Sequence, residues 1–413
     1  MTVLLQLLIF KSPLAWLLMG ASLLALLGLP RLLGLRTMNG MINAQITLFF
    51  NVLVMVGGMD AGLIDAGRMT HFFVLEFGFL LAVLLLYRWV LRYRTSVMSA
   101  LRRFFSGNGA YVLVAFMGAL TVFNFVEAPS DGSSRIEYMT EAWFSLLKPA
   151  IQIATPLSYL GVFVLLLDPA RKWLGYLLLV LAILSNIATG SKASFLLALF
   201  FAYLAIRDLT AGQKISLSRL ERVVIVGVAA LAGVVALSHL AVDASDVLDR
   251  FFLYGEANIL TYFSPDPTAA CSNVSLFASM HRGLARFLGD PSARDLDTLF
   301  GFALMIQEVG ANTLTGPNAR LSAYFACNFP DGKVVFGLAV VALYLLLMRT
   351  TFKTALRRPL AIALVYPFVL SSLFGASQDF LSIMQDITIM TGLLIAFGIA
   401  AIATPHASRR RHA

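Results

Sequence analysis

The chain of 413 residues is 59% hydrophobic and only 13% charged, with a mean hydropathy of +0.83, where a soluble globular chain carries roughly a quarter charged residues. That balance excludes a water-soluble fold, and apolar runs that are continuous instead of alternating exclude a closed β-barrel. The formal charge of +9 does not point to nucleic acid, because the basic residues fall in short clusters between apolar runs, where topology signals lie.

In chain order, stretches approaching the ~20 apolar residues that span a bilayer core are predicted at Pro13–Leu29, Met41–Gly57, His71–Leu91, Gly109–Val126, Pro149–Leu167, Trp173–Thr189 and Phe195–Ile206. Val223–Leu240, Val334–Met348, Leu360–Ser377 and Ile387–Ala403 follow. The expected fold is therefore an all-α, polytopic transmembrane helix bundle of about eleven crossings. The first stretch lacks the basic front and small-residue cleavage site of a secretory signal and reads as a retained helix.

An odd number of crossings puts the termini on opposite sides. With Arg409, Arg410 and Arg411 in the cytoplasm, that side also takes Arg31/Arg36, Arg88 through Arg103, Arg171/Lys172, Arg207 through Arg222 and Arg349 through Arg358. It then holds most of the 31 lysines and arginines but only three of the 22 acids, Asp168, Asp208 and Glu221. The asymmetry fixes the expected orientation in a cytoplasmic membrane. Three regions result: residues 1–240 with eight crossings, a large extracytoplasmic loop at residues 241–333, and residues 334–413 with the last three crossings and a cytoplasmic tail.

The loop, Ala241 to Lys333, is the one extramembrane segment large enough for a small subdomain. Helix-like apolar spacing at Ser275–Leu288 and Leu296–Val309 is separated by turn signals at Ser264-Pro265-Asp266-Pro267, Gly289-Asp290-Pro291 and Thr315-Gly316-Pro317-Asn318. Cys271 and Cys327, the two cysteines of the chain, both lie in it. An oxidising compartment would join them, while unpaired thiols are the other reading, because spacing does not establish Cβ geometry.

Chemistry-bearing residues cluster on the same side. The small-residue turn Thr189-Gly190-Ser191-Lys192-Ala193-Ser194 places one lysine at the interface, which suits a phosphate headgroup or a snorkelling anchor equally. Arg250, Arg282, Arg286, Arg294, Arg320 and Lys333 form an excess of loop cations with an anionic partner as their natural counterpart; a diphosphate would satisfy several at once. For Arg286 and Arg294, pairing with Asp249, Asp290, Asp295 and Asp297 is the simpler account. Asp295-Leu296-Asp297 matches a short metal-binding pattern, yet acids at a helix start explain it as well, so no metal or other cofactor is expected. Glu256, Glu308 and His281 are candidates for deprotonating a sugar hydroxyl. Tyr254, Tyr262 and Tyr324 are candidate sugar contacts, with solvated or incidental loop residues as the plainer reading. Within the crossings, Glu76, Gln152, Asn186, Gln378, Asp379, Gln385 and Asp386 are costly in lipid and should face the bundle or an outward-opening cavity.

The turn at Thr189–Ser194 resembles the threonine, serine, arginine/lysine turn of the O-antigen polymerase and ligase superfamily. Arg250, in Leu248-Asp249-Arg250-Phe251, is similar to the arginine that follows the helix leading into their large periplasmic loop. Thr313-Leu314-Thr315-Gly316-Pro317-Asn318, running on to Tyr324, Asn328-Phe329 and Gly332, resembles the stretch by which Wzy-type polymerases leave that loop. The departure is Phe329-Pro330-Asp331-Gly332, where the family more often has glycine directly after the phenylalanine. The resemblance covers most of the chain after Pro149.

It implies an inner-membrane glycosyltransferase of GT-C type, with undecaprenyl-diphosphate-linked oligosaccharide as donor and acceptor and its site on the periplasmic side. The growing glycan would pass to the non-reducing end of a new lipid-linked repeat unit, by inversion and without metal. Lys192, Arg250, Arg320 and Arg282 would hold the diphosphate, and a chain-length regulator protein is an implied partner. The alternatives are an O-antigen ligase, delivering glycan to lipid A core, and a polysaccharide or lipid transporter.

Overall fold

The computed structural model describes residues 10–33, 35, 42–127, 142–188, 194–210, 255, 258–259, 261–263, 320–329, 334–375 and 380–403. Among them the protein is all-helical, with twelve α-helices and no strand. These are α1 (Pro13–Leu32), α2 (Ile42–Asp60), α3 (Ala66–Leu91), α4 (Arg94–Ser106), α5 (Gly109–Glu127), α6 (Ala142–Leu166), α7 (Lys172–Ala188), α8 (Ser194–Leu209), α9 (Leu321–Asn328), α10 (Val334–Ala355), α11 (Pro359–Gly375) and α12 (Phe380–Ala403). Four helices, α1, α3, α5 as far as Val126, and α10, are long and apolar enough to cross a membrane. Helices also occupy the other stretches expected to cross, except Val223–Leu240, which lies outside the described residues together with the spacing-derived loop helices Ser275–Leu288 and Leu296–Val309.

Local chemistry accounts for the helix starts. Ser12 precedes α1 with its hydroxyl accepting the Ala15 N–H at 3.2 Å, and Pro13 supplies a preset backbone angle at the first helical position. Asp65 caps α3 in the same way, accepting the Arg68 N–H at 2.8 Å. Large apolar side chains remain exposed along α1, α5 and α10, among them Leu24, Val112 and Val335. That outward apolar surface is what a bilayer covers.

Helix pairs are fixed by close backbone approach and by buried polar bonds. A Cβ on Gly175 of α7 would stand 3.0 Å from the Val162 carbonyl of α6, tighter than side chains ordinarily pack, so glycine favours this close approach. Between α5 and α7, Asn124 donates to the Ser185 hydroxyl at 2.9 Å, and the Thr121 hydroxyl, whose hydrogen is directed mainly to the Met117 carbonyl of its own helix at 2.7 Å, lies 3.2 Å from the Leu181 carbonyl. Bonds of this type supply association that hydrophobicity alone does not give inside lipid.

The arginine-rich stretch after α3, expected as a plain cytoplasmic loop, is in fact the amphipathic helix α4. Val97, Met98, Leu101 and Phe105 are buried against α5, α6, α8 and α11, while Arg94, Arg102 and Arg103 face outward. The apolar positions recur at helical spacing, so the stripe has a core to enter although cations dominate the sequence.

Contacts sort the charges to two ends. Tyr87 donates to Asp208 at 2.9 Å, Arg349 stacks on Trp89 at 5.3 Å, and Arg171 donates to the Phe105 and Gly107 carbonyls at 2.9 Å each. Arg88, the α4 arginines, Arg171, Arg207 and the basic end of α10 therefore share one end of the bundle. At the other end Asp60 accepts the Lys11 and Ser12 backbone N–H groups. The start of α3 lies beside it.

Candidate functional site: a buried polar cluster on α3

Toward the acidic end, α3 carries Arg68, His71 and Glu76. Glu76 lies ten residues in, ~15 Å along the axis at the usual helical rise, and is buried. Its carboxylate meets Arg320, whose Nε donates to Oε2 at 2.8 Å and whose Nη2 lies 2.7 Å from the same oxygen. The side chains of Arg320 and Glu76 are 3% and 0% exposed. The second oxygen, Oε1, accepts the Ser322 backbone N–H at 3.0 Å.

That last bond explains how α9 begins. Arg320 stands at its N-cap position, with its own side chain committed to the ion pair and no side-chain cap bond. Glu76, from a helix far away in sequence, instead fills the capping role by accepting an N–H of the first turn. A carboxylate there is also favoured by the helix dipole. The same oxygens thus neutralise a guanidinium and satisfy a helix start, which is what makes a buried charge pair tenable.

Asn258 and Tyr262, near the start of the expected loop, close on this point as well. Tyr262 donates its hydroxyl to the Ser322 carbonyl at 3.0 Å, and its own carbonyl accepts from Arg68 Nη1 at 2.6 Å. Asn258 donates to Asn51 of α2 and accepts from the Ser322 hydroxyl at 3.4 Å. Phe325 of α9 lies against Gly337 of α10, where a Cβ would come 2.6 Å from its ring. The described residues 258–259 and 261–263, and residues 320–329, which fall near the two ends, or shoulders, of the expected loop, are therefore folded into the bundle and bonded to each other.

His71 Nδ1 stands 2.9 Å from the Tyr262 hydroxyl. The Ser322 carbonyl can only accept, so the single phenolic hydrogen goes to it, and His71 Nδ1 must be the donor in the other bond. In the neutral imidazole the lone pair is then on Nε2. His71 is half-buried, Tyr262 fully buried. A second buried polar group lies on α12, where Asp386 is buried near Tyr344, whose hydroxyl donates to the Ser372 carbonyl at 3.2 Å.

Of the site residues picked from the stretch 241–333, Arg320, Tyr262, Tyr324 and Cys327 are described, and Tyr262, expected to touch sugar, is buried with its hydroxyl on the Ser322 carbonyl. Arg320, expected to face a diphosphate, is in the ion pair with Glu76. Tyr324, expected to touch sugar, is 2% exposed and packs in the apolar core, 6.2 Å from the Phe329 ring. Cys327 is buried and disulfide-bonded. Lys192, Arg250, Arg282, Glu256, Glu308, His281, Tyr254 and Cys271 lie outside the described residues, as do Gln378, Asp379 and the side chains of Gln152 and Gln385. Asn186 donates to the Tyr159 hydroxyl at 3.0 Å within the bundle. Sequence reasoning passed over His71 and Asn258. The only signal was a histidine at the edge of an apolar run, five residues before an intramembrane glutamate.

Comparison with known proteins gives no match to a family model, to a curated protein or to a solved structure.

Proposed function

We propose that the chain is a GT-C type glycosyltransferase of the Wzy-type polymerase kind. It would transfer a growing glycan from undecaprenyl diphosphate to the non-reducing end of a lipid-linked repeat unit, at the extracytoplasmic face of the inner membrane. The observation that supports it best is the union of the two loop shoulders through Tyr262 and Ser322, above the Glu76–Arg320 pair. A loop merely linking two helices has no reason to bury its ends in the bundle. A loop that forms one wall of a site must hold a fixed pose against the membrane helices.

In this reading the basic end of the bundle is cytoplasmic, by the positive-inside rule, and the α3 cluster lies toward the outer face of an eleven-crossing protein. Lys192, Arg250 and Arg282 carry the donor diphosphate. Arg320, with its charge committed to Glu76, is a positioning residue that sets α9. His71 Nε2 takes the proton of the acceptor hydroxyl as its oxygen attacks the anomeric carbon. The bond from that carbon to the diphosphate oxygen breaks, the lipid diphosphate leaves with the electron pair, and the cations stabilise its charge. One base and one leaving group suffice, and the product is inverted.

The test is incubation of the purified chain with a synthetic lipid-diphosphate repeat unit. A ladder of lengthening products is expected. Transfer only to a core-lipid acceptor would make it a ligase. If neither product forms while vesicles show substrate crossing the bilayer, it is a transporter, for which buried carboxylates such as Asp386 are a familiar feature.

A further inference from the structure

A separate surface lies at the basic end, on the last turns of α10. Leu346, Arg349, Thr350, Lys353, Thr354 and Arg357 line an open groove of about 390 Å³. Arg349, Lys353 and Arg357 succeed one another four residues apart, so they lie along one side of the helix and continue just past its end. Like charges at that spacing repel. Their repulsion is relieved when an anion sits among them.

The helix end does not supply that anion. The carbonyls at a helix C-terminus amount to about half a negative charge, against three full positive charges here. Thr350 spends its hydroxyl hydrogen on the Leu346 carbonyl at 2.8 Å, so it shapes the groove without donating into it. Arg349 is held from behind by Trp89, with its guanidinium carbon 5.3 Å from the ring, and Trp89 is in turn set edge-on to Phe352 at 5.6 Å. One wall of the groove is therefore preset, with guanidinium N–H groups left to reach oxygen acceptors.

The mouth of the groove tells a lipid from a soluble anion. Leu346, 58% exposed, lies on the same stripe as Thr350, Lys353 and Arg357, and Leu343 beside it and Leu338 further along are exposed too. This apolar track runs up the helix from the cations. A phosphate, nucleotide or acidic peptide has no use for it. An acyl chain attached to a phosphate follows it directly.

We propose that this groove binds an anionic phospholipid, with its phosphodiester among Arg349, Lys353 and Arg357 and an acyl chain along Leu346 and Leu343. The site is distinct from the α3 cluster and does not depend on the transferase reading.

The test uses the full chain in detergent, titrated with dioleoyl phosphatidylglycerol or dioleoyl phosphatidylcholine and followed by native mass spectrometry. The anionic lipid should be retained at roughly 10- to 100-fold lower concentration, given the attraction of each cation for an anionic headgroup. Joint substitution Arg349→Gln, Lys353→Gln and Arg357→Gln should abolish that preference. Arg92→Gln, Arg102→Gln and Arg103→Gln, which remove equal charge from the neighbouring α3–α4 region, should leave it intact. Lys353→Arg should also keep it, and Lys353→Gln alone should weaken it if the triple variant is not monodisperse. Leu346→Ser should weaken lipid retention. Equal retention of the two lipids, loss of preference in the control triple alone, or displacement by inorganic phosphate as efficient as by lipid would each overturn the proposal.

Discussion

Glu76 and Arg320, 244 positions apart in sequence, form an ion pair with Nη2 2.7 Å from Oε2 and almost no exposure on either side. Because the same carboxylate also holds the first turn of α9, removing it injures two interactions at once. Breaking one member of a buried pair typically costs about 3–5 kcal/mol. Glu76→Gln and Arg320→Gln should each lower the thermal unfolding midpoint of detergent-purified protein strongly. The double variant should be little worse than the poorer single one, since neither then leaves an unpaired charge. Strictly additive losses would show that the two residues do not act as a pair.

How much of this was legible in the sequence differs by scale. Apolar run length located most of the described helices, and four of them are long and apolar enough to cross a membrane. Helix α4 was not legible, because Arg94, Arg102 and Arg103 dominate its composition, and Val97, Leu101 and Phe105 reveal a buried stripe only once α6 and α11 are there to receive it. Glu76 was recognisable as costly in lipid and Arg320 as an unusual cation, yet their pairing is a tertiary event between distant segments. Tyr324 looked like a sugar contact because it stands in a loop, and its burial follows from the docking of α9 on α3 and α10. The proposed base, His71, read only as the boundary of a crossing.

The hydrogen-bond logic around Tyr262 makes His71 testable on its own. The amide nitrogen of asparagine can replace Nδ1, so His71→Asn keeps the bond to Tyr262 while removing the Nε2 lone pair. Chain extension should fall ~100-fold or more, the usual scale for a lost general base, in kcat with little change in KM. The thermal midpoint should stay near that of the unmodified chain. Tyr262→Phe should cost less rate, since the base remains but its orientation is relaxed. Near-normal polymer synthesis by folded His71→Asn would move the base elsewhere.

Gly58 and Gly255 set how closely the first loop shoulder approaches α2. A methyl group on Gly58 would run into the Phe263 ring, and one on Gly255 would come 2.5 Å from Val54 Cγ2. Overpacking of this kind costs about 1–3 kcal/mol. Gly58→Ala should therefore destabilise the chain and increase protease cleavage near Phe263, and Phe263→Leu in the same chain should restore part of the loss by vacating the space. A fully stable Gly58→Ala protein with unchanged cleavage would mean that the shoulder is not packed against α2.

Asp60 ties the end of α2 to the start of α1, and the tie is titratable. Hydrogen bonds from Ser12 and then from the Lys11 backbone hold its carboxyl below the ordinary 3.8, against a smaller upward push from desolvation. Asp65, which caps α3, is held down in the same direction chiefly by the Arg68 N–H. A depressed value means that the folded state binds fewer protons than the unfolded one at these groups. Their contribution is therefore fully present above the unfolded value and is lost as pH falls through the lower, folded one. Hydrogen-exchange protection of the first turns of α1 and α3 should stay level from neutral pH down to about pH 5 and decline below about pH 4, after correction for intrinsic exchange. Asp60→Asn, which keeps the shape and removes the charge, should show reduced protection of α1 already at neutral pH and little further loss in acid, while α3 keeps its acid dependence through Asp65. If α1 in the unmodified chain is equally protected at pH 3 and pH 6, the carboxylate contributes nothing to that helix start, and the Ser12 side chain with Pro13 is sufficient to begin it.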